Sequence, residues 1–563
     1  MDHLNTTSLG LEAIQKISRL GGGENETFHG DPSEFIDLTV DAVLRLPLDR
    51  TTIRHLAKNG PGIIRGCIRL MKAVKPRHSG EALLFSFEYC YNCFRLLVTT
   101  LNIWLLERWG ELEATLAVYG SISGVDMHEV LPIIVTGLVR NQLHSLQSGD
   151  YSDTLLGWSS STDHQRRESQ LAPADLSELL CLVWDDRKYF LQALLSNPTS
   201  GLSGMLFLFL RYVFKQRGYA KGKDWELLNI KLNELCLRYL LAADKSDFSA
   251  VLGIIDAIAN SNDSSVKFWN ADPKHVDAQD SRCILQAFIG VLSKHTPGTF
   301  LTRVPFTVLR LVNLSIHPHS QDLLPEALRL TIEYGWTALV KRTEEGNAVL
   351  ISFGFFGCLW AMIESPHKHP YRLTQTTRAQ IMDAVCRADL LDFIARVIVQ
   401  LSPGEHKSSP KATENASTLS GISLFLNILV NIVPKRELTS YCEVYVLEWR
   451  KIAQFLRIKA CDETTVCLEP EVYRDHYEQT DSNPPGLSQQ EMFMELLRRP
   501  LPDNRMEVDF DSGAPSGMQR KVDLQGAVLV LLIIVNILRY KRNLIQPNET
   551  ALQNHAKLGT VSP

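Results

Sequence analysis

The feature that most constrains this chain is a helical spacing of apolar residues that recurs almost from end to end. The stretch ADLSELLCLVWDDRKYFLQALL is typical, and its apolar residues mark one helix face: Leu176, Leu179, Leu180, Val183, Phe190, Leu191 and Leu194. Such spacing indicates an amphipathic helix, whereas strand-like alternation between hairpin dipeptides is scarce. We therefore predict an all-α protein with almost no sheet.

Capping signals set the predicted helix boundaries. Asp175, with Glu178 three residues later, predicts a helix start, and Asp224 predicts a cap for the next long helix. The predicted helical segments are 33–48, 51–58, 61–75, 80–107, 111–119, 125–147, 174–195, 202–217, 223–243, 246–260, 278–294, 303–316, 322–341, 346–364, 373–400, 418–433, 436–458, 488–499 and 523–541. Many short helices joined by short loops favour stacked helix pairs over a single bundle, so the predicted architecture is an irregular α-solenoid.

Composition shifts divide the chain. Residues 149–173 are rich in Ser and Asp, and residues 402–417 are charged and contain proline. Stretches of this kind bury too little apolar area to offset chain entropy, so both are predicted to be flexible linkers. They separate an N-terminal helical region (1–148), a central helical repeat region (174–401) and a C-terminal helical region (418–563) that has irregular stretches and a terminal apolar helix.

One stretch resembles a known repeat type. The sequence QIMDAVCRADLLDFIARVIVQL, Gln380 to Leu401, resembles the junction in armadillo and HEAT-like repeats, where a small residue and a cap separate two apolar helices. Ala388 and Asp389 occupy this junction, at which the family usually has a glycine. The chain also resembles large fungal helical proteins that often end in a MYND zinc finger. It lacks that finger's paired CxxC ligands, so neither a metal site nor a function is carried over from them.

Charge and cysteine usage exclude some function classes. The net charge is −5, and the 58 Lys and Arg residues are scattered without a block of five or six. We therefore predict no nucleic-acid binding. The 11 cysteines lie in apolar, helix-like stretches, which is typical of core residues in a reducing compartment. The acidic, polar N-terminus lacks a secretory signal, so we expect a cytoplasmic location.

Two patterns resemble metal ligands. Cys90 and Cys93 have the spacing of a metal or redox pair, but a zinc site needs a second pair and none is spaced to supply it. We interpret both cysteines as core residues on one helix face.

The HxH pairs His317/His319 and His367/His369 would offer four imidazoles if they met, but their place in loops beside prolines favours solvated histidines. No metal or cofactor is predicted. Recognisable phosphate-binding, hydrolase and metalloprotease motifs do not occur.

Candidate regulatory sites fall in the two linkers. Arg166 and Arg167 precede Ser169 in a pattern that basic-directed kinases use, and Ser409 precedes Pro410 in a proline-directed pattern. Both are candidate phosphorylation sites, and the alternative for each is an ordinary solvated linker.

The run KVDLQGAVLVLLIIVNILRYKRN near the end of the chain is the most apolar stretch. As a helix, 524–538 spans about 22 Å, which is short of the roughly 30 Å hydrocarbon layer. We therefore predict that it docks on earlier helices. Membrane insertion and a partner or homo-oligomer contact remain alternatives, with Val528, Val530 and Ile534 as the candidate contact residues.

These observations favour a non-enzymatic, intracellular protein-interaction scaffold of the α-helical repeat type, with a protein partner of unspecified identity. The first alternative is a membrane-associated protein anchored by 524–538. An enzyme of unrecognised class is the third hypothesis.

Overall fold

The computed structural model describes residues 2–22, 38–73, 84–119, 126–147, 171–217, 223–260, 274–294, 303–345, 353–364 and 372–400, and scattered positions between 418 and 432. Helices account for most of these residues, and no strand occurs among them. The all-α prediction is therefore confirmed.

The chain divides into two units, of which the first comprises residues 1–291 and 302–317 and the second comprises 292–301 and 318–563. The helices up to the end of the first unit are α1 (Asp2–Gly22), α2 (Leu38–Leu44), α3 (Arg50–Ala73), a short 3-10 helix (Leu84–Ser86), α4 (Glu88–Trp109), α5 (Leu112–Tyr119), α6 (Met127–Gln147), α7 (Pro173–Asp185), α8 (Arg187–Ser196), α9 (Leu202–Arg217), α10 (Lys223–Leu240), α11 (Lys245–Asn260), α12 (Ala278–Ser293) and α13 (Val304–Leu314). The second unit contains a 3-10 helix (Pro318–Leu323), α14 (Leu324–Glu345), α15 (Phe353–Ile363), α16 (Gln375–Arg387) and α17 (Leu390–Gln400).

Helix α4 forms the centre of the first unit. Fourteen of its 22 residues are buried, and it packs against α3, α6 and α9. A helix that is apolar on most sides is stable only when neighbours enclose it, which explains this position. It ends at Gly110, whose φ of 78° lies in the left-handed region that favours glycine. This cap turns the chain directly into α5.

Two of the predicted helix caps were wrong. Helix α7 begins at Pro173, so Asp175 lies inside the first turn and accepts a hydrogen bond from the Ala172 N–H at 3.1 Å. Proline suits the first helical position because its missing N–H would have no partner there, and this sets the start. Asp224 likewise lies within the first turn of α10 and not before it.

The repeat-like junction at Ala388 and Asp389 is a true helix break. It divides the predicted segment 373–400 into α16 and α17. Asp389 has a φ of 49°, in the left-handed region where a repeat would normally carry glycine and where aspartate is tolerated. Trp336 of α14 donates its Nε1–H to the Ala388 carbonyl at 3.0 Å and so helps to hold the break. The relationship to armadillo and HEAT-like repeats stays a prediction.

The N-terminal part of the chain departs from the predicted segments in two ways. Helix α1 was not predicted, because the first predicted segment began at residue 33. Helix α3 is continuous and contains Pro61, whereas separate helices were predicted at 51–58 and 61–75. The Asn59 side chain donates to the His55 carbonyl at 2.9 Å and supports the turn that leads into the proline.

Small residues allow α1 and α3 to pack closely. A Cβ placed on Gly66 would lie 2.2 Å from the Ile17 carbonyl oxygen, and one on Gly62 would lie 2.4 Å from the Ser18 Oγ. Both distances are far below van der Waals contact, so the crossing requires glycine at these two positions.

Gly66→Ala should displace α1 and lower the free energy of unfolding by about 1–3 kcal/mol, as overpacking typically does. Chemical denaturation measures the loss, and hydrogen exchange should localise it to α1. Gly137→Ala in α6 is the matched control, because a Cβ there meets no atom within 4 Å and should stabilise the protein by about 0.5–1 kcal/mol. Equal effects of the two substitutions would contradict the close packing of α1.

Candidate functional site

An open groove of about 740 Å³ lies among α1, α3, α4 and α5 of the first unit. We call it the α3 groove, because α3 forms one whole wall. The residues that give it chemical character are Ser18, Arg54, Lys58, Asn59, Arg65, Trp104, Glu107 and Glu113. The groove therefore combines cations, carboxylates and an aromatic ring.

Helix α3 is strongly and uniformly basic. Its 24 residues contain no Asp or Glu and six Lys and Arg residues: Arg50, Arg54, Lys58, Arg65, Arg69 and Lys72. At 100° per residue these six positions fall within about 100° of the helix circumference. The opposite face carries the buried residues Ile53, Leu56, Ile63, Ile64 and Cys67. We call the six cations the α3 basic row.

Half of this row already binds carboxylates of other helices. Glu113 of α5 accepts two hydrogen bonds from Arg54, at 2.9 and 2.8 Å, and a third from Arg50 at 3.1 Å. These bonds, chiefly those from Arg54, lower the pKa of Glu113 to about 2. Lys72 binds Glu178 of α7 in the same manner. The row thus recognises protein carboxylates through paired, charge-assisted hydrogen bonds.

The middle of the row is open. Lys58 is exposed, and no carboxylate in the described ranges pairs with it. Arg65 donates to the Pro61 carbonyl at 3.3 Å and makes no ion pair in this part of the chain, although its charge opposes the rise that burial causes in the pKa of Asp175. Both side chains line the groove beside Trp104. Two cations are therefore available to an incoming anionic group.

The two predicted core cysteines lie where the sequence placed them. Cys90 and Cys93 are fully buried in α4, which confirms their interpretation as core residues. Burial raises the pKa of Cys90 to about 12 and also raises the pKa values of Cys93 and of Cys67 in α3. Zinc binds thiolates, so these protonated thiols suit packing. Among the described residues, no group of three or more metal-binding side chains occurs.

The histidine pairs are only partly described. The rings of His317 and His275 meet edge to face, with centroids 5.3 Å apart, and the His317 backbone N–H donates to the Ser281 Oγ. His319 belongs to the 3-10 helix that follows, whereas His367 and His369 lie outside the described residues. The four-imidazole site therefore stays a hypothesis.

The remaining candidate residues also lie outside the described part of the chain. They are the phosphorylation candidates Ser169 and Ser409 and the contact candidates Val528, Val530 and Ile534. In the parts of the chain that are described, none of the helices has the length and apolar character needed to cross a bilayer. The run 524–538 is not among those helices, so its three alternatives stay open.

The α3 basic row was missed at the sequence level for a specific reason. Its cations form no contiguous basic block, and the two predicted helices, 51–58 and 61–75, divided the row. Reading 50–73 as one helix would have revealed Lys and Arg recurring at spacings of four, four, seven, four and three. That periodicity, together with the absence of acidic residues, was the available signal.

No family model, no curated protein and no solved structure matches this chain. The α3 groove and its charges are therefore the features that bear on function.

Proposed function

We propose that this protein is a non-enzymatic interaction scaffold whose α3 groove binds an acidic segment of a partner protein. The observation that carries the proposal is the α3 basic row, with six cations and no acidic residue in a chain whose net charge is −5. Opposite charge attracts a partner over the Debye length of about 8 Å and orients it before contact.

An acidic protein segment fits the groove better than a nucleic acid does. Arg50, Arg54 and Lys72 already bind Glu113 and Glu178, so the row has the geometry to bind carboxylates. Glu107 and Glu113 also line the groove and would repel a continuous polyphosphate chain. A peptide can place its carboxylates at Lys58 and Arg65 and its apolar side chains elsewhere.

The wider architecture supports a scaffold. Many helices pack on helices that are near them in sequence, as α1 does on α3, α9 on α10 and α14 on α16, although α6 also packs on α11 and α4 on α9. We include in the proposal that these helices stack as an irregular α-solenoid of the armadillo/HEAT type in the cytoplasm. Solenoids commonly present extended surfaces to protein partners.

Fluorescence anisotropy with the full chain and a labelled peptide in which glutamates alternate with leucines tests the proposed groove. Lys58→Glu combined with Arg65→Glu should weaken binding by at least about tenfold, which corresponds to about 1.4 kcal/mol. Glu113→Gln should strengthen binding, because it releases Arg50 and Arg54 for the peptide. Raising the salt concentration should weaken binding, since the contacts are exposed.

The matched control is Arg140→Glu combined with Lys294→Glu, which changes the net charge equally at exposed positions outside the groove. Peptide binding should then stay within about twofold, as expected for a small change in long-range field. An equal loss in this control would show that net charge alone attracts the peptide. Tighter binding of single-stranded DNA than of the peptide would replace the proposal with a nucleic-acid surface.

A further inference from the structure

A second cavity, of about 250 Å³, lies in the first unit and shares no lining residue with the α3 groove. It is bounded by the end of α2, one side of α4, the first two turns of α6 and the loop that precedes α9. We call it the Arg95 cavity. One part of its wall is apolar and is formed by Leu44, Leu48, Leu131, Pro132 and Pro198.

The cavity contains two opposite charges that are not used within the protein. Arg95 of α4 is half-buried, yet its guanidinium has no hydrogen-bond or ion-pair partner among the described residues. Glu129, in the first turn of α6, is exposed at the edge of the same cavity and forms no ion pair within that part of the chain. The Arg95 guanidinium is partly open to solvent and carries five N–H donors, so it can bind an incoming acceptor.

The positive charge of Arg95 acts on a histidine that lines the same cavity. The pKa of His128, which also lines the cavity, is lowered because burial disfavours its charged form. Asp126 opposes this shift and the positive charge of Arg95 adds to it. The shift disfavours a charged His128, so Arg95 is the cavity's permanent cation.

We propose that the Arg95 cavity binds a free α-amino acid with an apolar side chain. An α-amino acid carries a carboxylate that matches Arg95 and an ammonium that matches Glu129. Arg is well suited to the first contact because its planar fork binds a carboxylate bidentately. The apolar side chain of the ligand would pack against Leu48, Leu131 and Pro132, which have no charge to satisfy.

The volume agrees with a ligand of this size. Pockets for drug-sized molecules measure about 300–1,000 Å³, so a cavity of about 250 Å³ suits a smaller ligand. A lone inorganic anion would satisfy Arg95, but it would face the Glu129 carboxylate and leave the apolar wall uncovered. The zwitterion accounts for both charges and for the apolar surface.

Isothermal titration calorimetry with the full chain tests this proposal. The probes are L-leucine, N-acetyl-L-leucine, which lacks the ammonium, L-leucinamide, which lacks the carboxylate, and inorganic phosphate. L-Leucine should bind, and each of the other three should bind at least about tenfold more weakly. Arg95→Met should abolish L-leucine binding, and Glu129→Gln should weaken it by about tenfold while leaving N-acetyl-L-leucine unchanged.

Arg140→Met is the control, because Arg140 is an exposed arginine of α6 that does not line the cavity. Its affinity for L-leucine should equal that of the unmodified protein. Binding of phosphate or of N-acetyl-L-leucine as tightly as L-leucine would overturn the proposal in favour of a simple anion site. Absence of L-leucine binding to a folded protein, as judged by circular dichroism, would also overturn it. Neither result bears on the α3 groove, which is tested with a different ligand and different variants.

Discussion

Replacing Asp247 with alanine is expected to lower the free energy of unfolding by about 4 kcal/mol. Asp247 of α11 is fully buried, and three donors from three other parts of the chain converge on its carboxylate. Thr136 donates at 2.6 Å, the Gly201 N–H donates at 2.9 Å, and the Tyr239 hydroxyl donates as well. Removing the acceptor leaves the Gly201 N–H and the Tyr239 hydroxyl buried without it, at about 1–3 kcal/mol for each group. The Thr136 hydroxyl keeps a second hydrogen-bond partner, the Ser203 hydroxyl at 2.9 Å.

The Asp247 carboxylate has no salt bridge, since none of the lysines and arginines in the described ranges pairs with it. Gly201 immediately precedes α9, so the Asp247 charge lies at the positive end of that helix dipole. Burial and the Asp247 charge raise the pKa of Tyr239 well above its usual value, which keeps the phenol protonated as a donor. The arrangement links α6, α9, α10 and α11.

Urea denaturation, followed by a spectroscopic signal of the first unit's tertiary structure, measures the loss in the free energy of unfolding. Asp244→Ala is the control, because this exposed aspartate lies three residues earlier and accepts only a hydrogen bond from Ser200. Its removal should cost less than about 1 kcal/mol. Tyr239→Phe combined with Asp247→Ala should be less destabilising than the sum of the two single changes by about 1–3 kcal/mol. A loss below about 1 kcal/mol for Asp247→Ala would disprove the convergent network.

The helices of this protein could be predicted from its sequence because their signal is local. Apolar residues at helical spacing identified α9 and α10 closely, since both lie within the predicted segments 202–217 and 223–243. The Asp247 network could not be predicted in the same way. Its donors lie at positions 136, 201 and 239, and only tertiary packing brings them together. An aspartate in the first turn of a helix ordinarily indicates an exposed cap.

The α3 groove was not predicted from the sequence, for a different reason. The charges of α3 are local and could have been found, but Pro61 has the usual signature of a helix end and it divided the row.

Helix α1 was missed for a third reason. Its docking on α3 depends on Gly62 and Gly66, because a Cβ at either position would clash with α1. A glycine has no side chain, so it adds nothing to an apolar pattern in the sequence. Close backbone approach is therefore invisible to a search for apolar periodicity.

Arg238 is the position where a single change should destabilise the first unit as much as loss of Asp247. It lies in α10, fully buried, and forms two hydrogen bonds of 2.9 Å with Asp280 of α12. It also donates to Glu234 at 3.0 Å and to the Lys274 carbonyl at 2.7 Å. Burial alone would lower the pKa of Arg238, but the hydrogen bonds and charges of Asp280 and Glu234 raise it, so the guanidinium stays charged.

Arg238→Met should therefore lower the free energy of unfolding by about 3–5 kcal/mol, because it leaves two carboxylates buried without their shared cation. Arg187 still donates to Glu234 at 3.0 Å, so Asp280 loses the greater share of its stabilisation. A buried carboxyl group without its cation is favoured in the neutral form. Adding Asp280→Asn to Arg238→Met should accordingly recover part of the deficit, because it removes the unpaired charge.

Arg45→Met provides the matched control. Arg45 pairs with Asp41 one turn away, and 73% of its side chain is exposed, so its loss should cost less than about 1 kcal/mol. Urea denaturation at pH 7 compares the unmodified protein with Arg238→Met, with the Arg238→Met, Asp280→Asn double variant and with Arg45→Met. If the double variant loses as much free energy of unfolding as Arg238→Met alone, a simple cavity accounts for the effect. The expected recovery would instead show that Arg238 is needed chiefly to compensate the Asp280 charge in the interior.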